Sequence, residues 1–141
     1  MEYPEFKGKT AIATGAASGM ALLFLQKMAE QGANVVLTDV NEDAVQAAAG
    51  EIRRKGGSAV GVKVDVRKYE EIQNAADIAM EKFGRIDYLM NSAGGCSQRV
   101  CKQSGGFVNA SPESIEWGVD VNLKGAVLFG RAVLGRMFEQ N

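Results

Sequence analysis

Between Lys9 and Leu23 a short apolar run, Thr10-Ala11-Ile12-Ala13-Thr14, breaks at Gly15 and Gly19 and then resumes as an apolar segment too long for a strand. That order predicts a strand, a tight glycine turn and the first turn of a helix. A helix start carries unpaired backbone N–H groups and the positive end of the macrodipole, so it suits a phosphate or pyrophosphate. Glycines there let the backbone turn sharply and let a ligand approach without meeting a Cβ. Strand-to-helix glycine turns also serve as plain connections, so the rest of the chain must decide between the two uses.

The remaining segments repeat the alternation. A helix over about Met20–Gln31 is stopped by Gly32, and Asn34-Val35-Val36-Leu37-Thr38-Asp39 reads as a strand buried on both faces. Asn41 caps a second helix, in which Val45, Ala48, Ala49 and Ile52 recur at i, i+3, i+4 and i+7 until Gly56-Gly57. A third strand is expected from Ser58 to about Val66. A third helix follows, with Ile72, Ala75, Ala76, Ala79 and Phe83 on one face and Gly84 at its end. Ile86–Asn91 reads as a fourth strand and Gly95–Ala110 as a loop. Ser111-Pro112-Glu113 then opens a helix running to the C-terminus, with apolar positions at Val121, Val127, Leu128, Val133, Leu134 and Met137. The order β-α-β-α-β-α-β-α implies right-handed crossovers and a parallel sheet covered on both faces, an α/β fold of the Rossmann-type doubly wound class.

Composition narrows the chemistry. A chain of 141 residues, 46% hydrophobic, can bury the core of one domain without disulfide or metal staples. A net charge of −1 with no basic cluster gives no reason to expect a nucleic-acid partner. No apolar run reaches transmembrane length and the N-terminus has no signal-peptide pattern, so no membrane partner and a cytoplasmic location are expected. Histidine is absent, which removes the commonest general base and metal ligand. Cys96 and Cys101 have no further ligands at suitable spacing and read as reduced loop thiols; no metal site is expected.

In a doubly wound sheet, ligands bind beyond the carboxyl ends of the strands, where strand order reverses. The strand ends here are Thr14-Gly15, Asp39, Asp65 and Asn91. Asp39 follows Gly19 by 20 residues, the interval at which an acidic side chain accepts from an adenine-ribose diol. A carboxylate there repels a 2′-phosphate, and Ala16, Ala17 and Ser18 supply no compensating cation, so NAD is expected over NADP. Asp and Asn also end strands and start turns for local reasons, but four together at one edge point to a dinucleotide site.

At these positions the sequence resembles the short-chain dehydrogenase/reductase family, over nearly the whole chain. Thr14-Gly15-Ala16-Ala17-Ser18-Gly19-Met20-Ala21 is similar to that family's T-G-x-x-x-G-x-G turn, and Asp65-Val66 to the Asp-Val pair that contacts the adenine ring. Asn91-Ser92-Ala93-Gly94 resembles its N-N-A-G motif, which lines the nicotinamide side. Asp120-Val121-Asn122-Leu123-Lys124-Gly125 resembles its D-V-N-L-x-G helix segment. The resemblance implies cofactor contacts from Gly15, Ser18, Gly19 and Met20, from Asp39 and Val40 after the second strand, from Asp65 and Val66, and from Asn91, Ala93 and Gly94. It implies that Asn122 interrupts helical bonding and supports a proton relay. The implied activity is hydride transfer between a nicotinamide cofactor and an alcohol or carbonyl substrate.

Two departures stand out. Ala21 occupies the place of the third glycine, where a methyl group intrudes on a close contact. The family's catalytic Ser and Y-x-x-x-K follow the fourth helix, whereas this sequence ends at Asn141. Tyr3 and Lys7 match that spacing by chance, ahead of the first strand and around a proline. The resemblance therefore implies a Rossmann domain over residues 1–141 that is incomplete at its C-terminus and inactive alone, with a non-catalytic dinucleotide-binding or interaction module as the alternative. An open fourth-strand edge and unpaired apolar faces would drive it to self-associate as a homo-oligomer. Arg99 and Lys102 in the Gly95–Ala110 loop read either as contacts to an anionic substrate or as solvated charge.

Overall fold

The computed structural model describes residues 3–96, 102 and 105–140. Four parallel strands, β1 (Thr10–Thr14), β2 (Asn34–Asp39), β3 (Ser58–Lys63) and β4 (Tyr88–Met90), lie in the order β3-β2-β1-β4. The direction of strand addition reverses between β1 and β4, so the switch point falls beside the glycine turn.

Helices α1 (Gly19–Glu30) and α2 (Glu42–Arg54) cover one face of the sheet, and α3 (Tyr69–Phe83) and α5 (Gly125–Glu139) cover the other. The pleat divides the strand side chains between these layers. Ala11, Ala13, Val35 and Leu37 join the α1–α2 core, while Ile12 and Val36 join the α3–α5 core. Helix α2 buries Val45, Ala48, Ala49 and Ile52 as its spacing predicts, and the Asn41 side chain caps it by accepting from the Ala44 amide at 3.1 Å. Helix α3 buries Ile72, Ala75, Ala76 and Ala79, with Phe83 half-buried. Helix α4 (Pro112–Val119) starts at Ser111, whose hydroxyl accepts from the Ser114 amide at 3.2 Å.

Three expectations need correction. The third strand stops at Lys63 rather than near Val66, because its only neighbour, β2, ends at Asp39, the residue paired with Lys63. Asp65 therefore sits in the turn beyond the strand. The fourth strand is limited to Tyr88–Met90, the length over which it pairs with Ala11–Ala13 of β1. The final helix is not continuous: a π-helical turn, Asp120–Lys124, separates α4 from α5. Past that turn the buried side chains are Phe129, Ala132 and Val133, whereas Val127 and Leu134 face solvent.

At the opposite edge of the sheet from the strand ends, Asp87 ties β4 to β1. Its Oδ2 accepts from the Thr10 amide at 2.8 Å and from Arg85 Nε at 2.7 Å, and Lys9 Nζ lies 3.5 Å from Oδ1. The Gly95–Ala110 segment contains a short 3₁₀ turn at Phe107–Asn109; Arg99 and Cys101 lie outside the described residues. Cys96 is exposed and unpaired. No helix among the described residues is long and apolar enough to cross a membrane.

Candidate functional site

The site begins with a pair of hydrogen bonds between neighbouring strand ends. Thr14 Oγ1 accepts from the amides of Ser92 and Ala93, both at 2.9 Å, which draws the exit of β4 over the glycine turn. A Cβ on Gly15 would stand 3.0 Å from Ala93 Cα and 3.1 Å from its nitrogen, and Gly15 has φ +63°. Both facts require glycine there. Gly19, also at φ +63°, turns the chain into α1 with open space around it.

The start of α1 is unlike those of α2, α3 and α4. Helices α2, α3 and α4 each place acidic residues in the first turn, whereas α1 has none and the hydroxyl of its N-cap residue, Ser18, makes no capping bond. Its positive dipole end and first amides are therefore of a kind that suits an anion. Ser18, Gly19 and Met20 are all exposed there. Ala21 is fully buried in the same cluster as Ala11, Ala13 and Ala16. Its methyl therefore lies inside the α1–α2 core.

Asp39 links the turn to the next strand. Its Oδ2 accepts from the Ala17 amide at 3.1 Å and its Oδ1 from the Asn41 amide at 3.0 Å. Two backbone amides thus hold the carboxylate at the end of β2, each leaving one lone pair of its oxygen for a ligand.

Beyond the sheet lies a cleft of about 300 Å³ lined from all four strand ends: Gly15, Asp39 with Val40, Val64 to Arg67, and Ala93 with Gly94. Trp117 of α4 and Val121 of the π turn close it from the side. Seven of the sequence-derived site residues therefore converge on one cleft: Gly15, Asp39, Val40, Asp65, Val66, Ala93 and Gly94. Ser18, Gly19 and Met20 belong to the adjoining turn. Asn91 does not join them; its Nδ2 donates to the Ala126 carbonyl of α5 at 3.3 Å, bracing the strand end against the helix.

Asp65 reaches the cleft already engaged. Its Oδ1 accepts from the Arg67 amide at 3.0 Å and from Nε at 2.9 Å, and its Oδ2 accepts from Nη2 at 2.6 Å. The Arg67 guanidinium holds the Asp65 carboxyl below the usual carboxylate range against the opposing effect of burial. Glu71 is lowered too, first by the Asp65 amide donating to it at 2.8 Å and then by Lys68.

Asn122 occupies the middle of the π turn. Its Nδ2 donates to Gly118 O at 2.9 Å and Gly95 O at 3.1 Å, while its Oδ1 accepts from the Gly95 amide at 2.9 Å. A Cβ on Gly94 would lie 2.5 Å from that Oδ1, so the close approach of helix and strand exit depends on a glycine. The side chain fastens the β4 exit to the helix where helical bonding is interrupted.

Comparison with known proteins decides the family. A profile described as short chain dehydrogenase matches residues 9–141. The chain belongs to the short-chain dehydrogenase family. Oxidoreductase UcpA of Salmonella typhimurium is 36% identical over 133 residues, covering 94% of this chain and 48% of that protein. The 7alpha-hydroxysteroid dehydrogenase of Escherichia coli K12 is 40% identical over 88 residues, covering 62% of this chain and 34% of that enzyme. A short-chain dehydrogenase/reductase from Burkholderia phymatum, crystallised in complex with NAD, superposes with a TM-score of 0.87 at 33% identity, over 96% of this chain and 46% of its own. The chain thus spans about half the length of the curated relatives first matched.

Sequence reasoning missed Arg67 and Trp117 as cleft residues. Arg67 follows the Asp65-Val66 pair directly, so an arginine two residues beyond a strand-end aspartate was the available signal. Trp117 had none, because its reach into the cleft depends on how α4 docks.

Proposed function

We propose that this chain supplies the dinucleotide-binding portion of an oxidoreductase that transfers hydride between a nicotinamide cofactor and an alcohol or carbonyl, with NAD preferred over NADP. The observation that carries the reading is Asp39, held by the Ala17 and Asn41 amides at the edge of the cleft that Gly15 opens. The donors and acceptors fit such a group. The open start of α1 with Ser18 suits a pyrophosphate, and Asp39 offers lone pairs to a ribose diol. Among the described residues the arginine in the cleft lining is Arg67, which is paired with Asp65. When bound, the cofactor supplies hydride chemistry at its nicotinamide.

In this reading Ala93 and Gly94 shape the nicotinamide end, and Asn122 fixes their position through Gly95. We further propose that residues 1–141 contribute cofactor binding, the family resemblance identifying no proton-transferring Ser and Y-x-x-x-K among them. Val127, Leu134 and Phe138, exposed along α5, support self-association through that helix.

Calorimetric titration with NAD and NADP tests the proposal. NAD is expected to bind tighter by about tenfold or more, since a 2′-phosphate would meet a carboxylate of like charge. Asp39→Asn is expected to narrow that ratio. No heat with either nucleotide at millimolar concentration would remove the reading.

A further inference from the structure

The sheet has two edges, and β3 forms the one remote from the switch point, with β2 as its strand neighbour among the described residues. Along a strand, the N–H and C=O groups of successive residues point to opposite sides. The Val64 amide donates to the Asp39 carbonyl of β2 at 2.8 Å, so the groups of Val60 and Val62 share that side. Those of Ala59, Gly61 and Lys63 face outward, where a further strand would pair. Such an edge is a template for another chain. This one is well suited to the purpose: Ser58-Ala59-Val60-Gly61-Val62 carries no charge and no proline, and its valines favour extended backbone.

The outward carbonyls of the strand interior are nevertheless taken. Gln46 Nε2 donates to the Gly61 carbonyl at 2.8 Å, and Arg53 Nη1 donates to the Ala59 carbonyl at 2.9 Å. Gln46 and Arg53 stand seven residues apart, so two turns of α2 put them on one helix face. The helix runs against the strand, and the later helix residue meets the earlier carbonyl. The stripe of Val45, Ala48, Ala49 and Ile52 seats α2 on the sheet and fixes that alignment. Gly61 sets the distance: a Cβ there would stand 2.7 Å from the Val45 carbonyl oxygen and 3.2 Å from Gln46 Cα. At the strand's end, Lys63 Nζ lies 3.8 Å from Glu42 of the same helix and adds a charge to the edge. Both donors are exposed side chains on the outer side of β3, in the path of an incoming strand.

We propose that Gln46 and Arg53 guard the β3 edge against strand addition by the β3 of a second copy of this chain. The incoming strand must displace both donors before it meets the Ala59 and Gly61 carbonyls. Denied those two acceptors, it forms fewer ladder bonds, and its addition is disfavoured. Self-association of the chain is thereby kept off this edge. The inference is independent of the dinucleotide reading, since neither the two donors nor their acceptors line the cleft.

The test compares the full chain with Gln46→Ala, Arg53→Ala and the double variant by sedimentation velocity and thioflavin T fluorescence over a concentration series. Hydrogen exchange read by mass spectrometry locates the new contact. The double variant is expected to gain an association step at concentrations about tenfold or more below any such step of the parent, with new protection at Ser58–Lys63. Arg53→Lys keeps an N–H donor and is expected to associate less readily than Arg53→Ala. Ile52→Val removes a buried methyl from the same helix without touching the edge, and is expected to behave as the parent does. Gln46→Ala alone carries the test should the double variant lose its circular dichroism. A folded double variant that matches the parent at every concentration overturns the inference. So does an Ile52→Val chain that associates as readily as the double variant, because general loss of stability then accounts for the effect. New protection that falls outside β3 overturns it as well.

Discussion

Replacing Gly15 with alanine, with Gly19→Ala as its partner, separates two costs that usually arrive together. Both glycines have φ +63°, so each alanine adopts a left-handed backbone at a cost of about 1–2 kcal/mol. At Gly19 nothing lies within 4 Å of the added Cβ, and that cost is the whole effect. At Gly15 the methyl stands 3.0 Å from Ala93 Cα and 3.3 Å from the Ser92 carbonyl carbon. These are backbone atoms, held in place by two bonds to Thr14 Oγ1, and they cannot rotate away as a side-chain tip would. Relief requires shifting the β4 exit, an overpacking cost of about 1–3 kcal/mol. Gly15→Ala should therefore lose about 2–5 kcal/mol and Gly19→Ala about 1–2 kcal/mol. Urea unfolding of the two variants and the parent measures this, provided the m-values agree. Equal losses would refute the reasoning, because they would mean that β4 does not press on the turn.

Three further outcomes follow from the structure. Burial disfavours the Asp87 charge, but Arg85, the Thr10 amide and Lys9 outweigh it and hold the carboxyl below its usual range. Its stabilising contribution is therefore present above the unfolded-state value and lost as pH falls through the depressed folded value. Urea unfolding across about pH 2–6 should show this, and Asp87→Asn should flatten the slope below about pH 5. Phe129 is fully buried against the α3 side of the sheet, so Phe129→Ala should cost about 3–5 kcal/mol by the same assay. Asn122→Ala removes three hydrogen bonds at the π turn and should lose about 1–2 kcal/mol, with faster proteolysis near Gly95 as the local readout.

The fold was legible where a segment is apolar on one face only. Helix α2 shows this: its polar positions leave Val45, Ala48, Ala49 and Ile52 as the sole stripe, and those are the residues it buries. The last helix offers no such stripe for the converse reason. It is apolar on more than one side, so Val127 and Leu134 are as eligible in sequence as Phe129 and Ala132, and only docking on α3 chooses between them. The π turn compounds the difficulty, because its wider winding shifts the phase of everything after Lys124 relative to α4. The short β3 was hidden because strand length is set by the neighbour: Val64 and Val66 are strand formers, but β2 offers no backbone partner beyond Asp39.

The site shows a sharper division between residue type and side-chain commitment. Spacing along the chain placed Asp39, Asp65 and Asn91 at strand ends and treated them as equivalent offers to a ligand. The structure makes them three different objects. Asp39 is held by two amides that neutralise none of its formal charge, so each oxygen keeps acceptor capacity. Asp65 is held by a guanidinium that neutralises it. Asn91 is turned to a helix carbonyl outside the cleft. What separates them is the identity of the partner each one meets. Asp39 accepts from backbone amides, Asp65 accepts from a guanidinium two positions on, and Asn91 donates to a helix carbonyl 35 residues away. Where the partner belongs to a distant element, as for Asn91, the motif carries little of the side chain's role and becomes a statement about the backbone path alone.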